Sequence, residues 1–186
     1  MRFDNAALIL VDIQNDFCPD GALAVAEGDQ VVPIANRLMS KFPVVVATQD
    51  WHPADHCSFK IWPPHCVQGT PGAELHPKLD RSRISFSVRK AFTPSADAYS
   101  EFSGVDDSGR SLDELLRSRG VKSLYLVGLA TDYCVRATAL DGLRLGYDVT
   151  VVTDGVRAVN VHPEDGAKAL EEMKTAGAKL VDSAFL

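Results

Sequence analysis

The chain has 186 residues, of which 46% are apolar and 24% charged, and its formal net charge is −6. These values are typical of a globular protein with a buried core. The acidic balance argues against nucleic acid or an anionic membrane surface as a partner, and the short apolar run near the N-terminus cannot be a signal sequence or a membrane span. We therefore expect a single domain over residues 1–186.

Short apolar runs alternate with segments of helical spacing along the chain. The first run, AALILVD (6–12), is continuous and rich in branched residues, as in a strand that is buried on both faces. The predicted strands cover 6–12, 43–50, 83–90, 123–129, 148–154 and 178–182, and the predicted helices cover 29–42, 111–120, 131–146 and 163–177.

This alternation predicts βαβ units and an α/β fold with a mostly parallel sheet covered on both faces. Two segments, 51–82 and 91–110, carry many Pro, Gly and polar residues and show no period. Loops of that length are usually functional. Both begin at or just after predicted strand ends, where open α/β sheets bind their ligands.

The segment DWHPADHCSFKIWPPHC (50–66) contains three of the five histidines. Carboxylate and imidazole ligands suit a divalent ion such as Zn, Fe or Mn. One alternative is a set of solvated loop histidines, and another is a structural zinc site using Cys57 or Cys66, although the chain has no C-x2-C pair. We predict a metal site at four residues: Asp50, His52, His56 and His65.

Three further residues with reactive side chains lie at or just past predicted strand ends. Asp12 ends the first strand, Lys90 the third, and Cys134 lies early in the helix that follows SLYLVGL. A thiol near a helix N-terminus ionises more easily, and free N–H groups there can hold an oxyanion. Each residue also has an ordinary explanation, as a turn aspartate, a solvated lysine or a buried cysteine. Their convergence favours a nucleophilic hydrolase site.

Several motifs together resemble one family. ALILVDIQNDFCPDGALAV, TQDWHPADHCSF, WPPHCVQGTPGAELHP, VRKAF, DAYSEFSG and LVGLATDYCVRATALDGLRLGYDV occur in the order typical of the nicotinamidase/pyrazinamidase branch of the isochorismatase-like hydrolases. The resemblance covers about residues 6–182. It implies a three-layer α/β/α fold with a six-stranded, mostly parallel sheet.

The resemblance also implies a role for each candidate residue. The catalytic residues would be Asp12, Lys90 and Cys134. The oxyanion hole would use the N–H groups of Ala130 and Cys134, after a cis peptide bond between Leu129 and Ala130. The metal ligands would be Asp50, His52, His56 and His65, and the pocket for the substrate ring would use Phe17, Trp62 and Tyr99, where the register of Tyr99 depends on a loop of variable length.

The implied reaction converts nicotinamide, and pyrazinamide, to the acid and ammonia through a Cys134 thioester. One divalent metal ion, Zn or Fe or Mn, would ligate the pyridine nitrogen and fix the ring. The implied setting is NAD salvage in the cytoplasm, where the four cysteines stay reduced. The partner is the small-molecule substrate, and a homo-oligomer is compatible with the sequence.

Two other readings compete with this one. The first is a related amide or ester hydrolase that acts on a substrate without a pyridine ring; such relatives lack the Asp/His cluster. The second is a non-catalytic metal-binding or redox-sensing protein, in which Cys57 and Cys66 are the working thiols.

Overall fold

Six parallel strands form one sheet in the computed structural model of the protein, which describes residues 3–186. The strand order is β3-β2-β1-β4-β5-β6, so the chain builds outward from β1 first in one direction and then in the other. The strands are β1 Ala6–Val11, β2 Val44–Asp50, β3 Phe86–Lys90, β4 Ser123–Leu129, β5 Asp148–Arg157 and β6 Lys179–Val181.

The central strand β1 is buried along its whole length, as the continuous apolar run predicts. Its side chains alternate between the two faces of the sheet. Leu8 and Leu10 pack in one core cluster, whereas Ala7 and Ile9 pack in the other. A strand covered on both faces needs apolar residues at every position, which explains why AALILV shows no alternation with polar residues.

Helices cover both faces and make the predicted three layers. Helix α1 packs with the cluster that contains Leu8, and the other three helices pack on the opposite face. The helices are α1 Val31–Met39, α2 Leu112–Ser118, α3 Arg136–Arg144 and α4 Asp165–Thr175.

A capping box begins α2, at the start of the segment predicted as a helix over 111–120. The Ser111 side chain accepts a hydrogen bond from the N–H of Glu114, and the Glu114 carboxylate accepts from the N–H of Ser111. Each of these bonds satisfies a donor that a helix N-terminus leaves free.

The structure differs from the sequence prediction in one element next to the site. The segment predicted as a helix over 131–146 begins with a π-helical turn at Thr131–Val135, and α3 starts only at Arg136. Segments 51–82 and 91–110 form short 3₁₀ turns and isolated bridges, as expected of long loops. Among residues 3–186, no helix is both long and apolar enough to cross a bilayer.

Candidate active site

The carboxyl ends of three neighbouring strands bring Asp12, Asp50 and Lys90 together. Asp12 follows β1, whereas Asp50 and Lys90 are paired as the last residues of β2 and β3. The Lys90 Nζ lies 2.5 Å from Asp12 Oδ2 and 2.6 Å from Asp50 Oδ1, and all three side chains are buried. The predicted convergence of these residues at one sheet edge is confirmed.

Thr48 contacts both the backbone and the side chain of Asp12. The Asp12 N–H donates to Thr48 Oγ1 at 3.0 Å, and the Thr48 hydroxyl lies 3.0 Å from Asp12 Oδ1. Burial raises the pKa of Asp12, against the attraction of the Lys90 ammonium, which lowers it. A carboxylate with a raised pKa is a stronger base than an exposed aspartate.

A close contact between two strands sets the position of Asp12. Gly128 of β4 pairs with Val11 of β1 and has a φ of +125°. A Cβ at position 128 would lie 2.0 Å from the carbonyl oxygen of Val11, the residue before Asp12. Only glycine allows this approach of the two backbones.

Cys134 lies in the π-helical turn that follows β4, after a cis peptide bond between Leu129 and Ala130. The cis bond implied by the resemblance is thus confirmed. One carboxylate oxygen of Asp12 and the Cys134 Sγ lie within 4.8 Å of each other.

The expectation that Cys134 ionises easily is wrong for this structure. Burial raises the pKa of the Cys134 thiol well above its usual value, and the attraction of Lys90 is opposed by nearby carboxyls, Asp12 first among them. These effects outweigh the helix N-terminus, whose field is that of a partial charge only. Cys134 therefore rests as a thiol and needs a base at the moment of attack.

Sequence reasoning missed Glu101. It lies in a 3₁₀ turn, Glu101–Ser103, within the loop 91–110, and it is fully buried. Its Oε1 lies 3.1 Å from Lys90 Nζ, and one of its carboxylate oxygens lies within 4.8 Å of both Asp12 and the Cys134 Sγ. Nothing in a loop without periodicity marks this glutamate as buried, since the loop also carries exposed acids such as Asp97.

Three of the four predicted metal ligands form a compact group. Ligand atoms of Asp50, His52 and His65 all lie within 4.8 Å of one another, and all three residues are buried. The Nδ1 of His52 lies 3.2 Å from the carbonyl of Ala91, and the Nδ1 of His65 lies 2.7 Å from the carbonyl of Pro63.

The Nδ1 contacts of His52 and His65 show whether these side chains are in a form that can bind a metal ion. Because a carbonyl only accepts, Nδ1 carries the proton in both histidines and Nε2 keeps its lone pair. Burial lowers the pKa of His65, which favours the neutral ligand form. In His52 burial also lowers the pKa, but the Asp50 carboxylate, 3.6 Å from Nε2, raises it above its usual value. One carboxylate and two imidazole nitrogens, with positions left open, fit a zinc-type ion.

His56 lies beside this group but is engaged elsewhere. Its ring stacks on His52 with centroids 4.1 Å apart. Its Nδ1 lies 2.7 Å from Ser58 Oγ, and its Nε2 donates to the carbonyl of Ala96 over 3.2 Å. The structure therefore does not bring His56 into the compact group, and its role as a ligand stays a prediction.

Gln14, which sequence reasoning also missed, holds the end of β2, where the predicted metal ligand Asp50 lies. Its side-chain amide donates to the carbonyls of Asp50 and Ala73, each at 2.8 Å, and its oxygen accepts from the N–H of Asp50 at 2.8 Å. A buried amide with these bonds satisfied holds the backbone of Asp50 in one place.

A cavity opens above these groups, with about 500 Å³ of free space including its mouth. Aromatic rings form much of its wall. Trp62 Nε1 donates to the Tyr99 hydroxyl over 3.4 Å, and both rings lie edge-on or tilted against Tyr133, a wall residue that sequence reasoning missed. The cavity is lined by all the predicted pocket residues and by both predicted oxyanion donors: Phe17, Trp62, Tyr99, Ala130 and Cys134.

The remaining cysteines lie outside these groups. Burial raises the pKa of the Cys66 thiol well above its usual range, and its N–H is bonded to Asp16 Oδ2 at 2.7 Å. Within residues 3–186, the clusters of candidate metal ligands contain neither Cys57 nor Cys66. This arrangement does not favour the alternative thiolate zinc site.

Comparison with known proteins decides the family. A sequence model described as the isochorismatase domain matches residues 6–185. The chain belongs to the isochorismatase family. Within the family, it is 48% identical to the nicotinamidase of Escherichia coli (strain K12), over 94% of this chain and 93% of that protein.

Two crystal structures extend the likeness to three dimensions. Pyrazinamidase of Pyrococcus horikoshii in complex with zinc is 47% identical, with a TM-score of 0.86 over 96% of this chain and 99% of that one. PnC1 from L. infantum in complex with nicotinate is 40% identical, with a TM-score of 0.90 over 99% and 96%. The predicted isochorismatase-like fold and the resemblance to the nicotinamidase/pyrazinamidase branch are confirmed.

Proposed function

We propose that this isochorismatase-family chain hydrolyses nicotinamide, and also pyrazinamide, to the corresponding acid and ammonia. One observation carries the proposal: Cys134 lines an aromatic-walled cavity that it shares with Asp50, His52 and His65. A flat heteroaromatic amide needs apolar faces for its ring and a nucleophile at its carbonyl. The relatives named as nicotinamidase and pyrazinamidase, and the one that binds nicotinate, support the same substrate class.

The bond-breaking steps belong to Asp12 and Cys134. Asp12 takes the thiol proton as the Cys134 sulfur attacks the carboxamide carbon, and Lys90 stabilises the negative charge on the pair. The N–H groups of Ala130 and Cys134 donate to the oxyanion, where one such donor typically contributes about 10²–10³ in rate.

Collapse of this intermediate breaks the C–N bond and leaves a thioester on Cys134. Asp12 gives its proton to the departing ammonia, and then takes one from the water that attacks the thioester. The acid leaves when the C–S bond breaks, and the sulfur recovers the proton from Asp12. Each proton and electron pair is thus returned, and the enzyme regains its starting state.

We propose that Asp50, His52 and His65 hold one divalent ion, with His56 as a fourth ligand as the resemblance implies. The bound ion would supply a Lewis-acid position that fixes the pyridine nitrogen. Zinc is our choice of ion, because the donor set is one carboxylate with imidazoles and because the Pyrococcus horikoshii relative binds zinc. Phe17, and the group of Trp62, Tyr99 and Tyr133, would contact the ring.

We also propose the cellular setting and the domain organisation. Four free cysteines suit a reducing compartment, which supports the cytoplasm, and the reaction would serve NAD salvage. The family match over residues 6–185 supports one domain across the whole chain.

Ammonia release from nicotinamide by the zinc-loaded protein tests the function. Cys134→Ala should lower kcat by about 10⁴-fold or more while zinc and nicotinamide still bind. Cys57→Ala is the matched control, since Cys57 is a second thiol outside the cavity lining, and it should match wild type.

Three results would contradict the proposal. Turnover of a carboxamide without a pyridine ring in preference to nicotinamide would favour the related hydrolase. Turnover by Cys134→Ala near the wild-type rate would remove the nucleophile. If the wild-type protein released no ammonia from nicotinamide, and Cys57 and Cys66 were reactive, the alternative of a non-catalytic redox-sensing protein would be favoured.

A further inference from the structure

The site holds more buried acid than one base requires. Three carboxyl groups, from Asp12, Asp50 and Glu101, lie within 3.1 Å of the single ammonium of Lys90. If all three were ionised, two negative charges would be uncompensated in a region without solvent. A divalent ion would offset the charge of Asp50, and Asp12 and Glu101 would still share one cation.

Asp12 and Glu101 differ in the hydrogen bonds that their carboxyl groups accept. Asp12 accepts directed bonds from Lys90 and from the Thr48 hydroxyl. Neither carboxyl oxygen of Glu101 accepts a directed hydrogen bond from any donor in residues 3–186, and its contact with Lys90 is an ion pair only. An ionised, fully buried carboxylate without such bonds is strongly disfavoured.

A proton on Glu101 would remove one of the uncompensated negative charges and would give its carboxyl group a hydrogen bond to donate. One carboxyl oxygen of Glu101 lies within 4.8 Å of one of Asp12, close enough for a small adjustment to join them by a hydrogen bond. Burial first, and then the charge of Asp12, raise the pKa of Glu101 well above its usual value. A bond between two carboxyls requires one proton on the pair. Because Asp12 already accepts two donors, Glu101 is the group that carries it.

We propose that Glu101 is a positioning residue for the acid–base chemistry, which as a neutral acid donates its O–H to Asp12 and keeps that carboxylate in place beside Cys134. The proposal rests on the proposed amidase function. The Glu101 proton stays in this bond while Asp12 takes and returns the thiol proton. Glu101 itself is absent from the cavity lining, so it acts through Asp12 and Lys90 and not on the substrate.

The chain around Glu101 holds it for this role. The Glu101 N–H donates to the Thr138 hydroxyl on α3 at 3.1 Å, and Thr138 is fully buried. The titratable groups that face the carboxyl are few. They are Asp12 after β1, Asp50 on β2, Lys90 on β3 and Cys134 in the π-helical turn.

Two substitutions of the zinc-loaded enzyme separate the possible roles. Glu101→Gln keeps the shape, a donor and an acceptor, but its amide cannot ionise. Glu101→Leu keeps the size and removes the hydrogen bonds. Glu172→Gln is the control, because Glu172 is a half-exposed partner of Arg136 and does not line the cavity.

We expect kcat of Glu101→Gln to stay within about threefold of wild type, since the amide keeps the donor to Asp12. Glu101→Leu should lose about tenfold to a hundredfold in kcat with KM unchanged, the usual cost of one hydrogen bond to a charged group. The fall of wild-type kcat/KM at alkaline pH, where the Asp12–Glu101 pair loses its shared proton, should move to higher pH in Glu101→Gln.

Two kinetic outcomes would overturn the proposal. If Glu101→Gln is as slow as Glu101→Leu, Glu101 works as an ionised base. If its pH profile coincides with that of wild type, Glu101 has no exchangeable proton that matters.

A substrate-free readout separates this inference from the proposed function. Iodoacetamide alkylation of Cys134, followed over pH by peptide mass spectrometry, should rise at lower pH in Glu101→Gln than in wild type. If wild type releases no ammonia from nicotinamide, the proposed function fails, and this alkylation curve still tests Glu101. Identical curves would overturn the inference even in an active amidase.

Discussion

Lys90→Met would remove the cation from three buried carboxyls while keeping most of the length of the side chain. Lys90 is fully buried, and its Nζ contacts Asp12, Asp50 and Glu101. Removing one partner of a buried ion pair typically destabilises a protein by about 3–5 kcal/mol. For a chain of this length each kcal/mol lowers Tm by roughly 2–4 °C. The expected fall in Tm is therefore roughly 6–20 °C.

The size of this fall should depend on pH in a fixed direction. Burial already raises the pKa of Asp12 and Glu101, and loss of Lys90 raises both further. A carboxyl whose folded pKa lies above its unfolded value favours folding below the unfolded pKa, and this contribution is lost as pH rises through the folded value. The variant should thus lose more stability at pH 8 than at pH 5.

Thermal unfolding followed by circular dichroism, in one zinc-containing buffer system at both pH values, measures the effect. Lys168→Met is the matched control, because Lys168 is exposed and its Nζ lies 3.8 Å from an exposed Glu164 carboxylate. Exposed pairs contribute little, so this control should barely move Tm. A Lys90→Met shift at pH 8 no larger than that of the control would refute the reasoning.

Thr48→Val should move the acid limb of kcat/KM to higher pH, because Asp12 loses the hydroxyl that stabilises its ionised form. Thr48→Ser should keep the wild-type pH profile. Equal profiles for wild type and both variants would count against Asp12 as the base. Chelator competition should show a larger loss of zinc affinity in His52→Ala than in His56→Ala, because both His56 nitrogens have other partners; the reverse order would show that His56 is the stronger ligand. Trp62→Ala should raise KM for nicotinamide by roughly two- to tenfold with kcat almost unchanged, and a fall in kcat at constant KM would instead place Trp62 in the chemical step.

The position of the site at one edge of the sheet was predictable, because the carboxyl ends of parallel strands meet at the same edge. Asp12, Asp50 and Lys90 each lie at or just past the end of a predicted strand, and the topology of such sheets brings those ends into one crevice. The spacing of Asp50, His52 and His65 predicted a metal group that the structure brings together. The strand ends therefore followed from local patterns, whereas His52 and His65, in a loop without period, were indicated only by their residue type and spacing.

Positions in the long loops were harder to predict. Glu101 is buried because its turn docks against Thr138, a contact between residues 37 positions apart that leaves no mark in the local sequence. His56 matches its ligand spacing, yet its ring is drawn to Ser58 and Ala96. The pKa of Cys134 likewise depends on how many carboxyls surround it, which only the folded chain determines.

The contact between Gly128 and Val11 has a consequence for how this protein can change. Asp12 follows one of these strands and Cys134 follows the other, so backbone against backbone, with no side chain between, sets the separation of base and nucleophile. Substitutions in the two apolar layers alter stability while this spacing persists. Core residues that do not line the cavity can therefore drift in sequence, or be redesigned for heat resistance, without retuning the reaction, whereas Gly128→Ala would disturb catalysis from a position outside the cavity lining.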